Sequence, residues 1–316
     1  MTTISAKTIL RSRHAQRPDK ILSSLFCRYP RWIHAEGRTH RQLVITEDLA
    51  IDVKTPSPME SYDLSRNAAS SRAIPILRMV EDVMTDPAIP LFWGKHQKGM
   101  QAVEEFVGAE RQELIDQWLR DRDDAVKKAL WYHERGLHKQ IPNRILEPYS
   151  HINVLFSGTE WTNFRALREH NDAEPHIHIL AREIGRELDR EDNIQTLEPG
   201  QWHTPFVGPI HGIMTQRLTE RDFIKKSVAC CASTSYKTVD GFDMTIGKAI
   251  ELHDKLVGSA PLHASPAEHV AQADKIISVP SRAPLRSMEQ VWSHPEQHGN
   301  FVGFRQYRKQ LPNECL

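Results

Sequence analysis

The chain is organised around the octapeptide Ser65-Arg66-Asn67-Ala68-Ala69-Ser70-Ser71-Arg72, which is followed by the apolar Ala73-Ile74-Pro75. Hydroxyl, amide and guanidinium groups are crowded together there, an unusual composition for a surface turn. Groups of this kind are the donors that hold a phosphorylated ligand. A second polar segment, Glu36-Gly37-Arg38-Thr39-His40-Arg41, precedes the octapeptide. Together the two segments predict a ligand-binding site.

The spacing within these segments resembles the signature of the flavin-dependent thymidylate synthases. That signature reads Arg-His-Arg, two residues, Ser, one residue, Asn-Glu, one residue, Ser, one residue, Arg-Tyr. Its opening triplet is similar to Thr39-His40-Arg41, and its later positions fall on Ser65, Asn67, Ser70 and Arg72. The chain departs from it at Thr39, Ala68 and Ala73, and residues 42–64 replace the two-residue spacer.

Segments 143–148 and 163–168 are similar to the C-terminal part of this family. The resemblance implies that the phosphate of deoxyuridine monophosphate (dUMP) is held by Arg72, Arg144 and Arg168, since a guanidinium group binds phosphate through two parallel donors. It also implies substrate contacts by Ser70 and Glu36, flavin contacts by His40, Arg41, Asn67 and Asn163, and catalytic roles for Ser70 and His40. Taken singly, each arginine is more often a surface or salt-bridge residue, and a lone His40 is more often structural.

A further part of the resemblance lies near the C-terminus. Residues 231–236 and 263–269 are similar to the family's N-terminal segment, which ends in Ser-Pro-Phe-Glu-His; here that turn reads Ser265-Pro266-Ala267-Glu268-His269. Because this segment follows the Thr39-His40-Arg41 triplet, we interpret the chain as a circular permutation, which is feasible where termini lie close together. Ser235 and His269 are then expected to return to the flavin site. The alternative is a chance recurrence of a Ser-Pro turn.

The resemblance implies an α/β (α+β) fold of the thymidylate synthase-complementing-protein type, with a central, mostly antiparallel sheet flanked by long helices. It implies a flavin- and nucleotide-binding core over residues 1–190 with the insert 42–64. Residues 191–316 then form a C-terminal segment in which 225–270 complete the core and the rest is a tail. Family members are homotetramers with active sites at subunit junctions, and the same is expected here.

The implied activity is the reductive methylation of dUMP to the thymidine nucleotide (dTMP). FAD is the implied cofactor, and methylenetetrahydrofolate and NADPH are the implied co-substrates. The departures at Thr39 and Ala68 leave two alternatives open. One is transfer of another one-carbon group to the pyrimidine C5, such as hydroxymethylation. The other is a catalytically inactive nucleotide-binding homologue.

Composition and short motifs restrict the classes of partner, compartment and metal site that are expected for this protein. Lys plus Arg and Asp plus Glu each number 41, so no overall field favours nucleic acid or an anionic membrane as partner. No apolar run approaches the roughly 18 residues of a membrane span, and no signal-peptide pattern is present. The cysteines form no Cys-x-x-Cys pair, which predicts reduced thiols and a cytoplasmic protein. His176 and His178 are only two apart, so no metal site is expected.

Local patterns predict the main helices. Apolar residues at steps of three and four predict a long amphipathic helix over 109–135, ended by Gly136. Further helices are predicted over 142–148, 160–167, 223–232 and 246–257 and from Pro175 onward. Residues 21–33 predict a strand or irregular segment that leads into a short helix at 34–40. Loops or turns are predicted for 42–64, 75–100, 191–212 and 260–269.

Overall fold

The computed structural model describes residues 3–35, 65–68, 71, 74–99, 102–208, 219–233, 244–259, 265–280, 288–312 and 314, with 65–68 described as backbone. Within these ranges a five-stranded sheet lies at the centre, with helices packed around it. The α/β class and the mostly antiparallel sheet are confirmed. The predicted loop 42–64 lies outside the described residues, as does most of the predicted helix 34–40. Arg31–His34 forms a 3-10 turn.

The central sheet has the strand order β3, β4, β2, β1, β5. The strands are β1 (Ser5–His14), β2 (Arg17–Pro30), β3 (Ser65–Ala68), β4 (His151–Gly158) and β5 (Ile194–Leu197). Neighbouring strands are antiparallel except for the parallel pair β1 and β5. The sequence pattern does not predict β1, because its buried positions include Arg11, Ser12 and His14, which hide the apolar alternation.

The described α-helices, except the first, agree closely with those predicted. They are α1 (Ile76–Thr85), α2 (Gly108–Glu134), α3 (Pro142–Leu146), α4 (Thr162–Arg168), α5 (Pro175–Leu188), α6 (Glu220–Ala232) and α7 (Ile246–Val257). Beyond the end of α2, Gly136 adopts φ 77°, the left-handed region that favours glycine. The loop predicted for 75–100 is wrong where α1 forms, since Met79 and Val83 lie one turn apart on its buried side.

One face of the sheet is apolar and is covered by α4 and α5. Its core contains Leu25, Cys27 and Tyr29 of β2, Ile152, Val154 and Phe156 of β4, and Phe164, Ile177, Leu180 and Ile184 of the helices. Each fully buried side chain of this kind contributes about 1.5–3 kcal/mol relative to exposure. A second core joins α1, α2 and α3 at one end of the sheet, around Met79, Val83, Ala129 and Leu146.

The opposite face of the sheet is covered in part by the C-terminal segment. A small sheet of β6 (Trp202–His203), β7 (Ala271–Ala273) and β10 (Phe304–Gln306) packs there, and Leu22 joins Ala271 and Phe304 in one buried cluster. A hairpin of β8 (Ile276–Pro280) and β9 (Met288–Trp292) follows β7. The connection predicted for 191–212 is therefore wrong at β5 and β6. The boundary between core and C-terminal segment stays a prediction.

No helix within the described ranges is both long and apolar enough to span a membrane.

Candidate functional site

Buried hydroxyl groups line the sheet face opposite α4 and α5. Ser24 of β2 and Ser157 of β4 are register partners, and their Oγ atoms lie 2.5 Å apart. Ser12 of β1 lies on the same face, opposite Leu22 in the ladder. All three serines are fully buried. Buried hydroxyls need hydrogen-bond partners, and two histidines from the C-terminal half supply them.

The two histidines are His203 of β6 and His269 of the 3-10 turn Ser265–His269. His203 Nδ1 lies 2.6 Å from Ser12 Oγ, and its Nε2 lies 2.9 Å from Ser24 Oγ. His269 Nδ1 lies 2.8 Å from Ser157 Oγ. Burial lowers the pKa of each imidazole to about 3, and for His203 the neighbouring His269 adds to the effect. Both rings are therefore neutral at physiological pH.

One atom of this network lacks a partner. His269 is fully buried, and within the described part of the chain its Nε2 forms no hydrogen bond. The turn that carries it packs against β3, whose Ser65 is the register partner of Ser157. An unsatisfied buried polar group costs about 1–3 kcal/mol, so such an atom often marks the place where a ligand binds.

Two more residues of β4 carry unpaired polar atoms. Both ring nitrogens of His151 and Oδ1 of Asn153 are buried and form no hydrogen bond with the described residues, and His151 Nδ1 lies 3.9 Å from Asp86 Oδ2. Burial, with Arg28 nearby, lowers the pKa of His151 to about 4, so this imidazole is also neutral. His151 and Asn153 alternate along β4 with Ser157 and share its face of the sheet.

We call His151, Asn153, Ser157 and His269 the β4 polar face. The six residue steps from His151 to Ser157 span about 20 Å of strand. The group offers uncharged donors and acceptors, a chemistry that suits the edges of a flat heterocycle better than a phosphate. Sequence reasoning found only His269 of this set. The available signal was the polar alternation of His151, Asn153 and Ser157 within an otherwise apolar strand.

The motif segment is tied to α3 by a second set of contacts. Asn143 Nδ2 donates to the carbonyl oxygens of Ser71 at 2.7 Å and Ile74 at 2.8 Å. Ser71 Oγ donates to Glu147 Oε1 at 2.5 Å. The next residue of α3 is Arg144, whose side chain is exposed. The turn between Ser71 and Ile74 is therefore held beside the helix that carries a predicted phosphate ligand.

The predicted site residues that the structure describes lie in several different elements. Arg144 lies in the helix before β4, whereas Arg168 lies at the end of the helix after it. Asn163 is half-buried in the first turn of that same helix. Asn67 of β3 is the register partner of Leu155 of β4, and only the backbone of β3 is described. The remaining predicted residues lie outside the described ranges; they are Glu36, His40, Arg41, Ser70, Arg72 and Ser235.

A separate cluster around Asp274 has the residue types of a hydrolase triad but is structural. Asp274 accepts hydrogen bonds from Ser293 Oγ at 2.5 Å and the backbone N–H of His294 at 2.9 Å, and its Oδ2 lies 2.9 Å from His298 Nε2. These contacts hold the pKa of Asp274 well below its usual range against the opposing effect of burial. His298 Nδ1 already accepts from Gly303 N, so neither ring nitrogen is available as a general base. Among the described residues no cluster of metal ligands occurs.

Comparisons with known proteins give limited information. No protein-family model matches the chain, and no curated protein sequence matches it. Its fold is similar to the UMP/dUMP methylase PolB from Streptomyces cacaoi bound with 5-Br UMP, at 12% identity over 60% of this chain and 89% of that chain, with a TM-score of 0.45. The same methylase bound with 5-Br dUMP is 13% identical over 54% of this chain and 67% of that chain, with a TM-score of 0.38. With TM-scores below 0.5, these likenesses assign no activity to the chain.

Proposed function

We propose that the protein is a flavin-dependent enzyme that modifies C5 of dUMP, by reductive methylation to dTMP. Methylenetetrahydrofolate is the proposed carbon donor and NADPH the proposed reductant. The observation that supports this most strongly is the position of His269. It comes from the C-terminal turn that resembles the family's N-terminal segment, yet it packs beside β3, the strand that contains Ser65 and Asn67 of the signature. A circular permutation of the family fold requires this meeting.

The end of the β4 polar face at Ser157 and His269 fits the edge of a flavin ring. The unpaired Nε2 of His269 is buried and belongs to a neutral imidazole, as a site for the edge of an isoalloxazine requires. Bound FAD would supply the hydride-transfer chemistry. By resemblance, His40, Arg41, Asn67, Asn163 and Ser235 would complete the contacts. The part played by this chain is to orient the ring with fixed dipoles and to keep water away from it.

The proposed nucleotide site lies toward α3. Arg144 is exposed on that helix and adjoins the Ser71–Ile74 turn, within which Arg72 occurs in the sequence. Two guanidinium groups at this position would bind a phosphate dianion, with about 1.5–3 kcal/mol from each charge-assisted bond. Arg168 ends α4, which packs on the apolar face of the sheet through Phe164. We propose that it reaches the phosphate of a neighbouring subunit, in the homotetramer that the resemblance implies.

The residues that differ from the signature support a second candidate reaction. Thr39 and Ala68 replace an Arg and a Glu, which would leave the space between flavin and base larger and less charged. Such a pocket is compatible with transfer of a different one-carbon group, such as hydroxymethyl, to the same carbon. The substrate and the cofactor would be unchanged.

The test begins with the visible spectrum of the purified protein, since a bound flavin is yellow. The protein is then incubated with dUMP, NADPH and isotopically labelled methylenetetrahydrofolate, and the nucleotide product is analysed by mass spectrometry. A methyl product supports the proposed reaction, and a hydroxymethyl product supports the second candidate. A colourless protein that neither binds added FAD nor alters dUMP would refute both and leave a nucleotide-binding homologue.

A further inference from the structure

We propose that Gln195, at the edge of the central sheet, determines which ring nitrogen of His269 carries the proton. It acts through a chain of buried hydrogen bonds that passes through His203. Gln195 and the residues between are positioning residues, because they act on the ligand only through His269. The identity of that ligand rests on the function proposed above, whereas the hydrogen-bond chain itself does not.

The hydrogen-bond chain runs without a break along one face of the sheet, from β5 at the edge toward β4. Gln195 Nε2 donates to Ser12 Oγ at 2.7 Å, and Ser12 Oγ lies 2.6 Å from His203 Nδ1. On the far side of this ring, His203 Nε2 lies 2.9 Å from Ser24 Oγ. Each of these contacts joins two different strands, because the residues belong to β5, β1, β6 and β2.

The last two contacts lead to the candidate ligand site. Ser24 Oγ lies 2.5 Å from Ser157 Oγ, and Ser157 Oγ lies 2.8 Å from His269 Nδ1. The serines and the histidines of the chain are fully buried, and the described residues offer no partner for His269 Nε2 beyond it. The hydrogen-bond chain therefore ends at an atom that no described residue satisfies and that is available to a ligand.

The direction of the chain follows from the number of protons available. A serine hydroxyl has one proton to donate, and a neutral imidazole has one N–H and one lone pair. Ser12 Oγ accepts from the Gln195 amide, and among the described residues the one acceptor within reach of its hydroxyl proton is His203 Nδ1. His203 must then carry its proton on Nε2 and donate to Ser24. Ser24 in turn donates to Ser157.

The same count of protons and lone pairs determines which ring nitrogen of His269 is protonated. Ser157 donates to His269 Nδ1, so the proton of His269 lies on Nε2. The β4 polar face thereby presents an uncharged N–H donor at this position, suited to a carbonyl oxygen or an unprotonated ring nitrogen of a heterocycle. The opposite orientation of the Gln195 amide would reverse every donor in the chain and place the proton of His269 on Nδ1.

The state of His269 is measured by nitrogen-15 NMR of the full-length protein without added ligand, in which protonated and unprotonated ring nitrogens have distinct shifts. We expect the proton on Nε2 in the wild-type protein. In Gln195→Glu the ionised carboxylate can only accept, so Ser12 must donate to it and the proton of His269 moves to Nδ1. Gln201→Glu adds the same charge outside the hydrogen-bond chain and should leave Nε2 protonated.

Two variants of Ser24 test whether Gln195 acts on His269 through the hydrogen-bond chain or by a general disturbance of the structure. Ser24→Ala interrupts the chain, so adding Gln195→Glu to Ser24→Ala should no longer change the proton position on His269. Ser24→Thr keeps the hydroxyl and should restore the response. A wild-type protein with the proton on Nδ1, or a Gln195→Glu protein that folds and keeps it on Nε2, overturns the proposal. Should Gln195→Glu fail to fold, the wild-type spectrum alone decides.

The effect on ligand binding is measured with FAD. Loss of one neutral hydrogen bond predicts that Gln195→Glu weakens FAD binding about five- to tenfold relative to Gln201→Glu. A protein that shows the proton switch but binds no flavin would refute the proposed function and leave the relay intact. A flavin-binding protein without the switch would refute the relay and leave the proposed function intact.

Discussion

The side-chain amide of Asn143 donates a hydrogen bond from Nδ2 to the carbonyl oxygen of Ser71, at a distance of 2.7 Å. This contact holds the end of the signature segment against α3. The same amide group donates to Ile74 O at 2.8 Å, and Asn143 is fully buried. One side chain thus holds Ser71 and Ile74, which flank Arg72 in the sequence, and it is adjacent to Arg144.

Replacing Asn143 with leucine should loosen this turn. Two hydrogen bonds are lost and the carbonyl oxygen of Ile74 loses its donor, whereas Ser71 O keeps the backbone N–H of Ile74. The free energy of unfolding should therefore fall by about 2–3 kcal/mol. Nucleotide affinity should fall as well, because the arginines beside the turn are no longer held. Denaturant unfolding and dUMP titration measure the two effects. Asn171→Leu, at an exposed position, is the control, and equal behaviour of the two variants would contradict the assignment.

Arg168→Ala should weaken dUMP binding more than tenfold while FAD remains bound. The reason is the loss of one charge-assisted contact to the phosphate, worth about 1.5–3 kcal/mol. Isothermal titration with dUMP, together with the flavin absorbance of the same sample, tests the prediction. Arg182→Ala removes an exposed arginine from α5 as the matched control. Unchanged nucleotide affinity in Arg168→Ala would remove this arginine from the proposed phosphate site.

His269→Phe should separate stability from binding. Phenylalanine keeps the buried volume and removes an unpaired polar atom, which offsets the loss of the contact with Ser157. The free energy of unfolding should therefore change by no more than about 1 kcal/mol. FAD affinity should fall at least about fivefold, because the ring loses its donor. His170→Phe, exposed in the loop after α4, is the control, and a variant that loses stability but keeps its flavin would argue against the site.

The protein should lose stability as the pH falls below about 6.5. In the folded state the pKa of His203 and of His269 is about 3, whereas in the unfolded chain it is about 6.5. The unfolded state therefore takes up more protons between these values, which favours unfolding as pH falls toward 3. At pH 5 each histidine should cost about 2 kcal/mol relative to pH 7.5.

Denaturant unfolding at several pH values measures this loss. In the double variant His203→Gln and His269→Gln the pH dependence between 7.5 and 5 should become shallower by up to about 4 kcal/mol. His133→Gln, at an exposed position of α2, is the matched control. Identical slopes in the double variant and the wild type would show that these two histidines are not buried in the neutral form.

The helices of this protein could be predicted because their signals are local. α2 shows apolar residues at helical spacing and a glycine beyond its end, and α5 begins with Pro175 after the capping carboxylate of Glu174. The β1 strand could not be predicted, since its buried Arg11, Ser12 and His14 do not follow an apolar alternation. Their burial is offset by partners that lie far away in the chain.

By itself, the sequence determined the α/β class, most of the helices and the positions at which the chain resembles a known signature. Only the tertiary structure decided that His203 and His269 meet Ser12, Ser24 and Ser157 on one face of the sheet, and that His269 Nε2 stays unpaired beside β3. The physical reason is that helix formation depends on neighbours three and four residues apart. The burial of a polar group depends instead on partners brought together by strand pairing across the whole chain.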